Sequence, residues 1–225
     1  MRNFTKIGKK IVAIGRNYTE HAKELSNSVP KSPFFFLKPT TSYVLQGGNV
    51  EIPKGCVVHH EVELGVVIGK DGRDIPALEA FNYISGYALG IDMTARNLQD
   101  SAKKKGLPWA AAKGFDTFLP IGDFIPKGEI INPSDVNLWL KLDDVIRQNG
   151  NTKDMIFPIQ TLIEYISSIM KLEEGDLLLT GTPKGVGPVN PGQIITAGLS
   201  INGKNLSTIK FPTVARTGLF IAMEE

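Results

Sequence analysis

Cysteine, histidine and long apolar runs are all scarce in this chain. Cys56 is the single cysteine among 225 residues, which excludes an internal disulfide and any thiolate zinc site and fits a reducing compartment. No window approaches about 18 consecutive apolar residues, so no transmembrane helix is expected. With no secretory apolar region either, the triplets Asn3-Phe4-Thr5, Asn17-Tyr18-Thr19 and Asn205-Leu206-Ser207 read as chance matches to the glycosylation pattern. An excess of one charge is missing too. Lys plus Arg number 25 against 23 Asp plus Glu, a net charge of +2, without the basic signature of a nucleic-acid or membrane partner. The one basic run, Lys103-Lys104-Lys105, stands before Gly106 at the end of a predicted helix, where cations complement the helix dipole. The first acidic residue is Glu20, after Arg2, Lys6, Lys9, Lys10 and Arg16. That is a slight mitochondrial-type bias, yet Ile11–Ile14 already reads as core strand and little is left to cleave. Nucleotide motifs are absent as well. Gly181-Thr182-Pro183-Lys184-Gly185-Val186-Gly187 has neither Gly-Lys-Ser/Thr nor the dinucleotide fingerprint, and reads either as a loop that lets a ligand reach backbone amides or as a tight turn.

What is present describes an ordinary globular composition, 42% hydrophobic and 21% charged, with enough length for a sizeable core. No repeat, low-complexity stretch or linker divides it, so a single domain over residues 1–225 is expected. Strand signals dominate: Lys10–Ile14, Phe34–Leu37, His60–Ile68, Tyr83–Ile91, Asn137–Leu142, Leu177–Thr180 and a hairpin at Asn202-Gly203, with a second two-residue hairpin signal at Asn149-Gly150. Helices are predicted over Tyr18–Leu25, Thr94–Lys105 and Ile159–Met170, the last with an apolar stripe of Ile159, Leu162, Ile163, Ile166 and Met170. The pattern is β-rich α+β, not an alternating βαβ array.

The stretch from His59 to Gly69 carries the first chemical signal. Read as one strand, it turns Glu61 and Glu63 to one face and Val62 and Leu64 to the other. Adjacent shielded carboxylates repel unless one is protonated or a cation joins them, so the pair is either a hard-oxygen site for Mg²⁺ or Mn²⁺ or a wet strand face. Asp92, at the end of the apolar run Tyr87–Ile91, is a candidate third ligand or the start of a loop. Arg96 and Gln99 share a helix face and suit a substrate carboxylate, or form a solvated face with Asp100. His21 and Glu24 share the same spacing, as a carboxylate-oriented general base or a surface pair. Lys113, in an apolar setting, can stabilise an enolate or snorkel to solvent. His59 and His60 are weaker candidates to flank a metal.

Together these residues are distinctive. Arg16-Asn17-Tyr18, His21, Glu24, Phe36-Leu37-Lys38-Pro39, His60-Glu61-Val62-Glu63-Leu64, Asp92-Met93-Thr94-Ala95-Arg96, Lys113-Gly114-Phe115-Asp116 and Leu179-Thr180-Gly181-Thr182-Pro183-Lys184-Gly185-Val186-Gly187 resemble the fumarylacetoacetate hydrolase superfamily. The likeness runs in family order from about Lys10 onward and is closest to the short acylpyruvase and oxaloacetate decarboxylase branch. The resemblance implies a mixed β-roll or sandwich with peripheral helices and a short N-terminal lid helix. It also implies a homodimer, and a mitochondrial or cytosolic location with the former favoured. The separate N-terminal SH3-like domain of the long fumarylacetoacetase is not expected, nor is that exact activity. It assigns Glu61, Glu63 and Asp92 to Mg²⁺ or Mn²⁺, His21, Glu24 and Lys113 to catalysis, and Arg16, Arg96, Gln99 and Thr182 to substrate. The implied activities share an enolate of a short 2-oxo acid: hydrolysis of acylpyruvates such as acetylpyruvate and fumarylpyruvate, and decarboxylation of oxaloacetate. The alternatives are oxaloacetate keto–enol tautomerisation, isomerisation or decarboxylation of a longer hydroxy-diene diacid, and non-catalytic binding of an organic acid.

Overall fold

The computed structural model describes residues 1–24 and 28–222, and in it two main sheets hold the chain together. The larger is six-stranded, in the order β10 (Ile125–Pro126), β7 (Ile84–Ile91), β6 (Val62–Ile68), β13 (Leu177–Leu179), β1 (Ile11–Ile14) and β2 (Phe35–Lys38). Its pairings are antiparallel except β1 with β13. β1, β6 and β13 are buried along their whole length, which is why β1 and β13 read as unbroken apolar runs and β6 as one interrupted only by Glu63. The second sheet is five-stranded: β12 (Val145–Asn151), β11 (Asn137–Leu142), β15 (Ile194–Ile201), β16 (Lys204–Ala215) and β4 (Val50–Ile52). β11 alternates buried and half-buried positions, as a strand with one covered face should. Leu138, Leu140, Ala197 and Phe211 from this sheet join Leu64, Val66 and Leu89 from the first in one core cluster. Smaller sheets pair β14 (Gly187–Val189), β5 (Val58–His60) and β8 (Thr94–Ala95), and β3 (Tyr43–Val44) with β9 (Leu119–Pro120). The helices α1 (Phe4–Ile7), α2 (Thr19–Glu24), α3 (Arg96–Lys105), α4 (Ala110–Lys113) and α5 (Ile159–Ser167) lie around them.

Most expected elements are found within a residue or two. The predicted lid helix ends its described part at Glu24, with Leu25 outside the described residues. The α5 stripe is buried at Ile159, Leu162, Ile163 and Ile166, though the helix stops before Met170. Three differences are informative. The predicted strand His60–Ile68 is broken at Glu61, with β5 and β6 in different sheets. The predicted helix from Thr94 begins with the two-residue strand β8. Asn149-Gly150 makes no turn: it lies inside β12, and the β11–β12 turn is Asp143-Asp144, both with positive φ. Gly150 is there for clearance, since a Cβ would stand 2.4 Å from that of Pro183. Asn202-Gly203 does form the β15–β16 turn, with φ of 49° and 76°, the left-handed pair that a type I′ hairpin needs.

Candidate functional site

Two strand breaks build the centre of the site. The chain leaves β5 and joins β6 across Glu61, and it leaves β7 and joins β8 across Asp92-Met93. The breaks lie side by side, because the Asp92 amide donates to the Glu61 carbonyl at 2.8 Å. Glu63, the second residue of β6, completes a buried triad whose candidate ligand atoms lie within 4.8 Å of one another. Backbone and hydroxyl donors aim the acids: Gly181 N–H donates to Glu63 Oε2 at 2.7 Å and the Thr94 hydroxyl to Glu61 Oε1 at 3.1 Å.

Three cations balance these carboxylates. Lys113 Nζ bridges Asp92 Oδ2 at 2.6 Å and Glu61 Oε2 at 3.0 Å. Arg96 Nη2 reaches Glu61 Oε1 at 2.5 Å while Nη1 reaches Gln99 Oε1 at 2.5 Å. Lys38, fully buried, sits 2.8 Å from Asp92 Oδ1, a charge contact outside hydrogen-bond geometry, and also donates to the carbonyls of Met93 and Lys113. Sequence reasoning gave Lys38 no role: it stands just past the predicted strand Phe34–Leu37, whereas the structure makes it the last residue of β2. Burial alone would raise the Glu61 pKa, but Lys113 and Arg96 hold it well below the usual carboxylate range. Glu63 lacks such partners. Burial, then repulsion from Asp92 and Glu61, raises its pKa well above normal. A buried all-carboxylate set with one member left unneutralised is the donor chemistry of a hard divalent cation. The three carboxylates therefore fit a divalent metal, with the Lys113 ammonium beside two of them.

The triad opens into a narrow cavity of about 30 Å³ lined by Arg16, His21, Phe36, Glu61, Glu63, Arg96, Gln99, Lys103, Trp109, Lys113 and Thr182. Here α2 contributes His21, whose Nδ1 is 3.4 Å from Glu24 Oε2. Glu24 is held in turn by the Gly185 N–H, at 3.0 and 3.1 Å to its two oxygens. The glycine-rich loop therefore spends two amides on the chain's own carboxylates, Gly181 on Glu63 and Gly185 on Glu24. Gly185 has φ of 95°, and a Cβ there would meet the Arg147 carbonyl at 2.1 Å. Burial is the main cause that lowers the His21 pKa, leaving a neutral imidazole near neutral pH. At the base of α2, Asn17 Nδ2 donates to Thr180 O at 2.8 Å and its Oδ1 accepts from Phe157 N at 2.8 Å, pinning the lid helix to the ends of β13 and α5.

Thr182 reaches the cavity wall, but its hydroxyl donates to Val62 O at 2.8 Å and accepts from Gln148 Nε2 at 2.8 Å. Gln148 is a second residue that sequence reasoning missed, since an amide in the middle of a strand carries no motif. Its Oε1 takes Val62 N at 3.0 Å and His60 Nδ1 at 2.9 Å, and its Nε2 also reaches Pro183 O. This one side chain closes the β5–β6 break from behind. His60 is thereby a buried structural residue, and His59 faces Arg96 Nε at 3.4 Å. Burial, with the Arg96 charge, pushes the His59 pKa down to about 4. Neither imidazole joins the acidic triad.

The sequence profile of the fumarylacetoacetate (FAA) hydrolase C-terminal family matches residues 10–213. The chain is 59% identical over 202 residues to the mitochondrial oxaloacetate decarboxylase of Dictyostelium discoideum, covering 89% of this chain and 93% of that one. It is 57% identical to the mitochondrial oxaloacetate tautomerase FAHD1 of Arabidopsis thaliana, over 94% and 93% of the two chains. The crystal structure of fumarylpyruvate hydrolase from Pseudomonas aeruginosa in complex with Mn²⁺ and pyruvate superposes with a TM-score of 0.85 at 34% identity, over 93% and 91%. This chain belongs to the fumarylacetoacetate hydrolase family.

Proposed function

We propose that this protein is a divalent-metal-dependent enzyme that acts on short 2-oxo acids through an enolate, with oxaloacetate and acylpyruvates as its substrates. The observation that carries this reading is the buried triad of Glu61, Glu63 and Asp92, with Lys113 between two of its members and the His21–Glu24 pair on the same cavity. The triad would hold Mg²⁺ or Mn²⁺. Bound there, the ion supplies Lewis-acid stabilisation of the negative charge that develops on a 2-oxo oxygen.

The remaining work falls to the chain. Arg96, Gln99 and Arg16 bind and orient the substrate's oxygen atoms, and Thr182, its hydroxyl proton committed to Val62 O, shapes the cavity wall. For an acylpyruvate, His21 accepts a proton from water as the oxygen adds to the distal carbonyl, with Glu24 holding the ring in orientation. The C–C bond then breaks, its electron pair passes into the pyruvate enolate, and protonation at carbon gives pyruvate beside the released acid. For oxaloacetate the C3–C4 bond breaks, CO₂ departs, and the same enolate is protonated without added water. Lys113 stabilises the enolate charge and manages its proton. Keto–enol interconversion moves one proton between C3 and the 2-oxygen and breaks no carbon bond. The relatives named as an oxaloacetate decarboxylase and a tautomerase favour oxaloacetate over the acylpyruvates.

The test is a panel of acetylpyruvate, fumarylpyruvate and enol- and keto-oxaloacetate assayed with Mg²⁺ and with Mn²⁺, compared by kcat/KM. Metal-dependent turnover of at least one 2-oxo acid is expected. Full activity after exhaustive chelation would overturn the metal mechanism.

The enzyme is a homodimer in this reading. Val57, Leu107 and Ile221 are about half exposed and line one groove with Phe220, an apolar face suited to a second copy. Light scattering should give twice the chain mass. A mitochondrial location, as in the names of the relatives, is checked by subcellular fractionation.

A further inference from the structure

The helix dipole accounts for positive charge at the end of α3, but not for where the side chains of Lys103-Lys104-Lys105 go. Lys104 and Lys105 are exposed, whereas Lys103 is half-buried and lines the active cavity. Arg96, Gln99 and Lys103 are spaced i, i+3, i+7, so they form one stripe along the helix. Arg96 marks its deep end, bonded to Glu61. Seven residues of helix rise about 10 Å, and helical side chains lean back toward the N-terminus. Lys103 therefore overhangs the outer part of the cavity, its ammonium 5.5 Å from the centre of the Trp109 ring. Arg16 lines the same cavity from the β1–α2 connection, its guanidinium 5.4 Å from the centre of the Phe34 ring. Its backbone is in the left-handed region, φ 56°, which a non-glycine residue adopts at some cost.

Charge divides this cavity into two zones. In the inner zone Lys113 and Arg96 are matched by Glu61 and Asp92, with Lys38 against Asp92 behind the wall, while Glu63 has no cation bound to it among the described residues. The outer cations have no such match. Arg16 makes no ion pair among the described residues, and Lys103 meets Asp100 at 3.4 Å, a partner about half exposed and screened by water. Burial of Lys103, with Arg96 and Arg16 nearby, lowers its pKa despite Asp100. The outer zone has cations to spare and lacks an anion.

We infer that Lys103 and Arg16 form a subsite for the remote carboxylate of a 2-oxo diacid, so that the enzyme prefers substrates bearing a second carboxylate over those with a neutral tail. This rests on the reading of the inner site as a 2-oxo acid site. It also bears on the fate of oxaloacetate: an ion pair on the C4 carboxylate stabilises the anion against loss as CO₂ and steers the bound molecule toward keto–enol interconversion.

Oxaloacetate and acetylpyruvate test this well, because a carboxylate in one stands where the other has an acetyl group of similar size. In Lys103→Met, kcat/KM for oxaloacetate tautomerisation is expected to fall about tenfold further than kcat/KM for acetylpyruvate, the scale of a hydrogen bond to a charged group. Lys103→Arg should keep the wild-type ratio. Oxalate, which matches the metal-facing half of a 2-oxo acid and extends no further, serves as the reference in calorimetric titration of the Mg²⁺-loaded protein. Its dissociation constant should move less than about twofold in Lys103→Met, where only a screened charge is lost. Equal losses on both substrates, or no loss on either, would overturn the subsite and leave the inner site standing. Wild-type protein that neither binds oxalate nor turns over either substrate would overturn the 2-oxo acid reading itself.

Discussion

The Asp92 amide donates to the Glu61 carbonyl at 2.8 Å, at the level where both chain segments pass from one sheet into another. That single backbone bond holds two acids of the buried triad side by side. A regular strand could not do the same, because its side chains alternate between faces and its backbone groups are committed to the ladder.

Removing either acid should abolish metal-dependent turnover, but the two substitutions should differ in stability. Asp92 lies between Lys38 and Lys113, so Asp92→Ala leaves the buried Lys38 ammonium with no carboxylate and Lys113 with Glu61 alone. A loss of about 3–5 kcal/mol is expected, as for other buried pairs broken on one side. Glu61→Ala leaves Lys113 with Asp92 and Arg96 with Gln99, and should cost clearly less. Urea denaturation of the metal-free variants measures the difference.

Lys113 Nζ lies 3.0 Å from Glu61 Oε2 and 2.6 Å from Asp92 Oδ2, so its charge would oppose a divalent cation held by the same two acids. Lys113→Met should therefore tighten Mn²⁺ binding about tenfold, the effect of removing one close charge, while turnover falls by roughly 10²-fold as the enolate loses its cation. Calorimetric titration beside steady-state kinetics would test both. Weaker metal binding would show that Lys113 supports the triad instead of competing with it.

His21→Ala should reduce acylpyruvate hydrolysis by about 10²–10⁴-fold, the usual contribution of a general base. Oxaloacetate decarboxylation needs no activated water and should fall much less. Equal losses would assign His21 to the enolate proton or to closure of α2.

Gln148→Leu should destabilise the protein by about 2 kcal/mol, because the buried Val62 amide and Thr182 hydroxyl lose their partner. Since Gln148 stands behind the β5–β6 break, metal affinity should weaken along with stability. Thermal unfolding with and without Mn²⁺ reads both effects.

Local reading of the chain succeeded where one segment carries its own signal. The α5 stripe, the Asn202-Gly203 turn and the buried strands β1, β6 and β13 follow from side-chain period, turn chemistry and apolar content. It failed at Asn149-Gly150, where the glycine answers to Pro183, 33 residues along the chain, and not to a turn. It failed again at Glu61, where the run His60–Ile68 looks continuous because no turn residue interrupts it at Glu61 and only a change of sheet divides it.

The sequence by itself determined the chemistry available: three acids, a histidine–glutamate pair on a short helix, and cations at 96 and 113, in an order that marks the family. Tertiary structure alone decided which charges meet. Lys38 pairs with Asp92, Gln148 closes the break behind Glu61, and Lys103 turns to the cavity while its two neighbours face solvent. Such pairings depend on segments far apart in sequence being packed until their charges have no solvent to turn to, and no local pattern of residues encodes that distance.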